Sequence, residues 1–139
     1  MRRLVTTLTS LLIAGLAMAS DTSPQKHNFI PGQVWTFHLD PSEPAATLKV
    51  LKVETIEKIG DVVHIAVSAV RVPGGVTRIG HLPMSRAALD TSVLELVKTD
   101  SATADLGGYE QWKRAKGGVF TTSVSDAMSF VRQAIERQK

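Results

Sequence analysis

The chain has 139 residues, 43% apolar, 21% charged and 5% aromatic, with no cysteine, which suits one ordinary domain and excludes a multidomain enzyme, a collagen or a disulfide-rich scaffold. Its formal charge is +3. Basic residues are scattered singly among acids, as in Lys49, Lys52, Glu54, Glu57 and Lys58, so the clustered footprint of a nucleic-acid binder is missing and no nucleic-acid partner is expected.

The first 19 residues read as a secretory signal peptide. Arg2 and Arg3 follow Met1, an apolar stretch runs from Leu11 to Ala19, and Ala17 and Ala19 flank Met18 as an A-x-A cleavage site. A membrane anchor needs about 20 predominantly apolar residues, and Thr6, Thr7, Thr9 and Ser10 dilute this run. Cleavage after Ala19 leaves 14 Lys and Arg from the original 16 against 13 Asp and Glu. The mature product is therefore expected in the periplasm or outside the cell, without a membrane anchor and without a disulfide. Its length of about 120 residues suffices for a single core.

Residues 20–30 are polar, with Asp21, Ser23, Pro24, Gln25, Lys26, His27 and Asn28, and read as a flexible lead-in. Residues 31–139 are expected to form the single domain. Val34 to Leu39 alternates as a half-buried strand, with Trp35, Phe37 and Leu39 on one side. After the turn cluster Asp40 to Pro44, a second strand covers Thr47 to Lys58, where adjacent Val50 and Leu51 break the period of two and predict a bulge. Val62 to Val72 is the clearest strand, with Val63, Ile65, Val67 and Ala69 on one face. Short turns between these segments predict an antiparallel meander of about three to four strands, the last being a short extended piece over Val76 to Leu82.

The second half is punctuated as helices. Ser85 stands as an N-cap before Ala88, Leu89, Val93, Leu96 and Val97, spaced as in a helix of about 12 residues. Gly107 to Trp112 opens a second helix that ends before Gly117-Gly118. Ser123 and Asp126 open a third that carries Ala127, Met128, Val131 and Ile135. Strands followed by helices predict an α+β two-layer sandwich, with a small antiparallel sheet and about three helices on one face. Trp35, Ile65, Val67, Leu89, Val93, Leu96, Phe130 and Val131 are expected to meet in its core.

The segments Gly32-Gln33-Val34-Trp35, His81-Leu82-Pro83-Met84-Ser85 and Gly108-Tyr109-Glu110-Gln111-Trp112-Lys113 resemble a family of small uncharacterised bacterial α+β domains. The resemblance covers about residues 31 to 132 and implies one compact domain. It carries over no activity and no site residues.

Few residues are available for chemistry. There is no G-x-S-x-G elbow, no H-E-x-x-H helix and no phosphate loop, and nothing calls for a cofactor. His38 and His64 should project from the sheet face opposite Trp35 and Ile65. Their strands flank the middle strand about 9–10 Å apart, too far for a shared metal that needs both nitrogens about 2.0–2.1 Å away, so no metal site is expected. His81 precedes a helix start. Ser85 beside it could act as a nucleophile with Asp90 as orienting acid, but helix capping already accounts for Ser85.

Two functions remain open. The first, which the residues favour over an enzyme, is an exported non-catalytic domain that binds another protein, as an inhibitor or immunity-type antagonist would, or a second copy of itself as a homodimer. It would use an open sheet face carrying Val34, Thr36 and His38 from the first strand and Val62, His64, Ser68 and Val70 from the third. The second is a small ligand-binding protein or enzyme with an anion site built from His81, Arg78 and Arg86.

Overall fold

The computed structural model describes residues 27–41, 46–101 and 105–138. The expected signal peptide and the first part of the lead-in therefore lie outside the described residues. Among those described, the elements run β1 (Gln33–Phe37), β2 (Thr47–Ile56), β3 (Gly60–Val72), β4 (Gly75–Ser85), α1 (Arg86–Ser92), β5 (Val93–Thr99), α2 (Gly107–Arg114) and α3 (Val124–Glu136). The strands form one sheet in the order β4-β3-β2-β1-β5, and every pair is antiparallel. The fold is α+β, and the sheet has five strands instead of three to four.

The meander from β1 to β4 follows from alternation and turn chemistry. Val72 pairs with Gly75 across Pro73-Gly74, and Gly74 takes φ +91°, the conformation that the third position of a type II turn requires. The register of β2 against β3 slips between Val50 and Lys52, the bulge that adjacent Val50 and Leu51 call for. Beyond it Val53 still faces the core while Lys52 and Glu54 turn to the opposite face, beside His64 and Val62 respectively.

One face of the sheet carries the core. Trp35, Phe37, Leu48, Val50, Val63, Ile65, Val67, Leu82 and Met84 pack there against Leu89 of α1 and Val124, Ala127 and Met128 of α3. Phe29 joins the same cluster, and Asp90 accepts hydrogen bonds from the His27 backbone N–H at 2.8 Å and faces its ring Nδ1 at 3.1 Å. Residues 27–30 thus belong to the packed domain and not to a flexible lead-in. Phe29 supplies apolar surface that a polar average over the segment conceals.

Four expectations are corrected. The helix starting at Ser85 has 7 residues, not about 12. Ser85 caps it, accepting from the Ala88 N–H at 3.2 Å, but the Thr91 and Ser92 hydroxyls both donate to the Ala88 carbonyl, at 3.0 and 2.7 Å, and compete with further helical bonds. The chain then extends, and Val93 to Thr99 pairs with β1. In consequence Leu96 lies 47% exposed outside the core; Phe130, on α3, is also outside it, 60% exposed. The helices also do not share one face: α1 and α3 back the core, whereas α2 lies across the other side, with Tyr109 and Trp112 against His64. Finally, the open face does not exist as drawn. Val62, His64 and Val70 are fully buried and Val34 nearly so. Val70 is turned to the core by a register slip between Val67 and Val70, where Ala69 takes φ +61°.

Candidate functional site

The face under α2 holds a connected polar network. Lys52 pairs with His64 across β2 and β3, His64 pairs with Pro83 across β3 and β4, and strand alternation puts Glu54 and His81 on the same side. The Tyr109 hydroxyl donates to Glu54 Oε2 at 3.0 Å, Glu54 Oε1 lies 2.9 Å from His64 Nε2, and His64 Nδ1 lies 2.8 Å from His81 Nε2. His64 and His81 stack with ring centroids 5.0 Å apart. Tyr109 and Trp112 meet the His64 ring edge-on at 4.7 and 4.8 Å. Lys52 Nζ approaches the Tyr109 ring at 5.2 Å.

Close approach of α2 makes this possible. A Cβ added at Gly108 would lie 2.5 Å from the His81 Cβ, so only glycine lets the first turn of α2 sit on the histidine pair. The Trp112 indole is held in turn by its own N–H, which donates to the Gly118 carbonyl at 2.9 Å.

The electrostatics follow from burial. Burial lowers His64 below the ordinary histidine value and outweighs the opposing pull of Glu54. His81 is lowered to about 4, by burial first and by His64 second. Burial pushes Glu54 up, yet the hydrogen bonds from His64 and Tyr109 hold it below the usual carboxylate range. The Tyr109 hydroxyl is raised by burial and by the Glu54 carboxylate. At neutral pH the network is therefore one carboxylate, two neutral imidazoles and a phenol.

The proton count then fixes the tautomers. Ionised Glu54 only accepts, so His64 carries its proton on Nε2 and its Nδ1 is a lone pair. The 2.8 Å contact requires that His81 donate from Nε2. That leaves the lone pair of His81 Nδ1, on a partly exposed ring, which makes no hydrogen bond to another of the described residues. Both nitrogens of His64 are engaged, and no group of three metal-ligating side chains occurs among the described residues.

Clefts open on both sides of Trp112. One, of about 440 Å³, is walled by His81, Pro83, Trp112, Val119, Phe120 and Phe130. Another, of about 380 Å³, lies between Glu54, Ile56, Ile59, Tyr109, Trp112 and Lys113.

Of the residues singled out from sequence, His64 and His81 come together. His38 lies exposed beyond the end of β1, where its backbone N–H donates to the Ser92 carbonyl at 2.8 Å. Arg86 is engaged elsewhere: its guanidinium donates to the His27 carbonyl at 2.7 Å and lies 5.6 Å from the Phe29 ring and 3.9 Å from Asp61. Arg78 is exposed. Arg86 is thus held by His27, Phe29 and Asp61, while one guanidinium nitrogen of Arg78 lies near Gly80, the residue before His81. Glu54, Tyr109 and Trp112 were not foreseen as site residues. The signal available for them was the parity of Glu54 with Lys52 beyond the bulge, and the glycine at 108 beside two aromatic residues at helical spacing.

A second feature is the edge of β5, which pairs with no further strand among the described residues. This strand closes the sheet beyond β1, and all its residues after Val93 are exposed, including Leu94 at 49%, Leu96 at 47% and Val97 at 56%. At the opposite edge, β4 is partly covered, because the Phe120 backbone bonds to Pro83 and Ser85. No helix among the described residues is long and apolar enough to cross a membrane.

No protein-family profile, curated protein or solved structure matches the chain.

Proposed function

We propose that the protein is an exported, non-catalytic protein-binding domain whose partner adds an extended segment to the free edge of β5. The observation that carries this reading is an edge strand with apolar side chains exposed at Leu94, Leu96 and Val97. A sheet edge presents unpaired backbone donors and acceptors that another strand can satisfy, and natural sheets usually blunt or cover such edges. Here Glu95 and Lys98 are the charged residues among seven, and Lys98 is drawn to Asp100 at 3.3 Å. Export rests on Arg2, Arg3, the apolar run and the A-x-A pattern, which make Ser20 the mature N-terminus.

A photo-reactive residue at Val97, with one at exposed Ala87 on α1 as control, tests the docking surface in secreted or periplasmic extract. The expected result is a discrete adduct from position 97 that is absent from position 87 and is lost in Leu96→Lys. An adduct of twice the chain mass would put a second copy on the edge in place of a foreign partner. Equal labelling from both positions, or none from position 97, overturns the proposal.

A further inference from the structure

We propose that the cleft between His81, Trp112 and Phe130 is a binding site for a small, uncharged aromatic molecule that carries one hydroxyl or N–H donor, which it gives to His81 Nδ1. This inference is independent of docking at β5, which lies at the other end of the sheet order.

Three observations carry it. The first is the lining: Pro83, Trp112, Val119, Phe120 and Phe130 supply apolar and aromatic surface around about 440 Å³, and no charged side chain borders the space. A charged ligand would lose its hydration there without a counter-charge, whereas a flat apolar body gains by covering the rings. Phe130, 60% exposed and edge-on to Phe120 at 5.7 Å, is a large apolar side chain left in water at the mouth of the cleft.

The second is the proton inventory. Glu54 accepts from Tyr109 and His64, His64 accepts from His81, and the sequence of bonds ends at His81 Nδ1, an acceptor on a partly exposed ring, with no hydrogen bond to another of the described residues and open to an incoming donor. The site thus asks for a donor and offers none from His81. A ligand with only acceptors gains nothing there, and a neutral hydroxyl matches it.

The third is rigidity. Trp112 is pinned by its bond to the Gly118 carbonyl, and His81 is pinned by His64 and by the backbone of Gly108 pressed against it. Wall and acceptor are both in place before any ligand arrives, which reduces the ordering cost of binding.

The test uses 4-methylphenol as the probe and 4-methylanisole as its counterpart, the same body with the donor removed, titrated into the full chain at neutral pH and followed by NMR. Saturable shifts at the Trp112 indole and the His81 ring are expected, with the phenol binding about fivefold tighter, the size of one neutral hydrogen bond. That preference should vanish in His81→Phe, and both probes should weaken in Phe130→Ser, a substitution at an exposed position that leaves the core intact. Should His81→Phe fail to fold, long-range nitrogen spectra of the native rings decide the point, because they show which nitrogen of His81 is protonated. Equal affinity for the two probes, a proton on His81 Nδ1 at neutral pH, or no saturable response at Trp112 overturns the proposal.

Discussion

His64 Nδ1 and His81 Nε2 face each other at 2.8 Å, so one of the two carries a proton and the other does not. The carboxylate of Glu54, on the far side of His64, decides which. The bonds linking Tyr109, Glu54, His64 and His81 can all form in one protonation pattern and not in others, which gives the domain a built-in dependence on pH.

The sign of that dependence follows from linkage. Both histidines bind their proton less readily folded than unfolded, with His81 lowered from 6.5 to about 4. Below pH 6.5 the unfolded chain therefore holds more protons than the folded one, and stability falls with pH, by up to about 1.4 kcal/mol per unit for each ring. Above that value the histidine contribution is flat. Glu54 acts later, because its stabilisation is lost only as pH drops through a folded value below 4.5. Urea titrations between pH 8 and 4.5 should show a constant midpoint down to about 6.5 and a steep decline below it. A midpoint that stays constant throughout would mean that the rings are not buried as a neutral pair.

Trp35 anchors the core from β1. It is 7% exposed, its indole N–H donates to Gln33 Oε1 at 3.1 Å, and it meets Phe29 and His27 edge-on at 5.8 and 5.2 Å. Truncation of such a residue typically costs about 3–5 kcal/mol. Trp35→Ala should lower the melting temperature by more than about 10 °C, as read by scanning calorimetry. A fall of a degree or two would mean that the side chain contributes little to the core.

Asp90 ties the segment before β1 to α1. Its carboxylate is 8% exposed and receives the His27 backbone N–H. Asp90→Ala leaves that donor without its partner and should destabilise the domain by about 1–3 kcal/mol. Amide exchange at His27 to Ile30 should accelerate well beyond that in α3. Uniform acceleration across the chain would assign Asp90 a global role instead of a local one.

What the sequence revealed, and what it hid, follow from the range of the interactions. Alternation from Val62 to Val67, the bulge signal at Val50-Leu51 and the Ser85 and Ser123 caps are local, and each is found where the residues indicate, whereas the slip at Ala69 that turns Val70 to the core breaks the expected alternation. The helical spacing of Leu89, Val93, Leu96 and Val97 predicts a helix where the chain forms β5. Hydroxyl competition at Ala88 and pairing with β1 override that pattern, and the second depends on a segment about 60 positions earlier. At the candidate site, the outward register of His64 was legible. Its burial was not, since burial depends on α2 returning over the sheet from 45 positions downstream in Tyr109.

The contact of α2 with β4 constrains the site closely. At Gly108 an added methyl would stand 2.5 Å from the His81 Cβ, so Gly108→Ala must either displace α2 or rotate His81 away from His64. Either response opens the bond between the rings and admits water to His64, which is now fully buried. The expected cost is about 1–3 kcal/mol, typical of overpacking. With water admitted, the lowering of both histidines should relax toward 6.5, so the variant should be less stable at neutral pH and should lose less of its remaining stability on acidification than the native chain. Paired urea titrations at pH 7.5 and 5.5 measure both effects. An unchanged midpoint at pH 7.5 would show that α2 does not press on His81, and an unchanged difference between the two pH values would show that the contact is not what keeps the pair neutral.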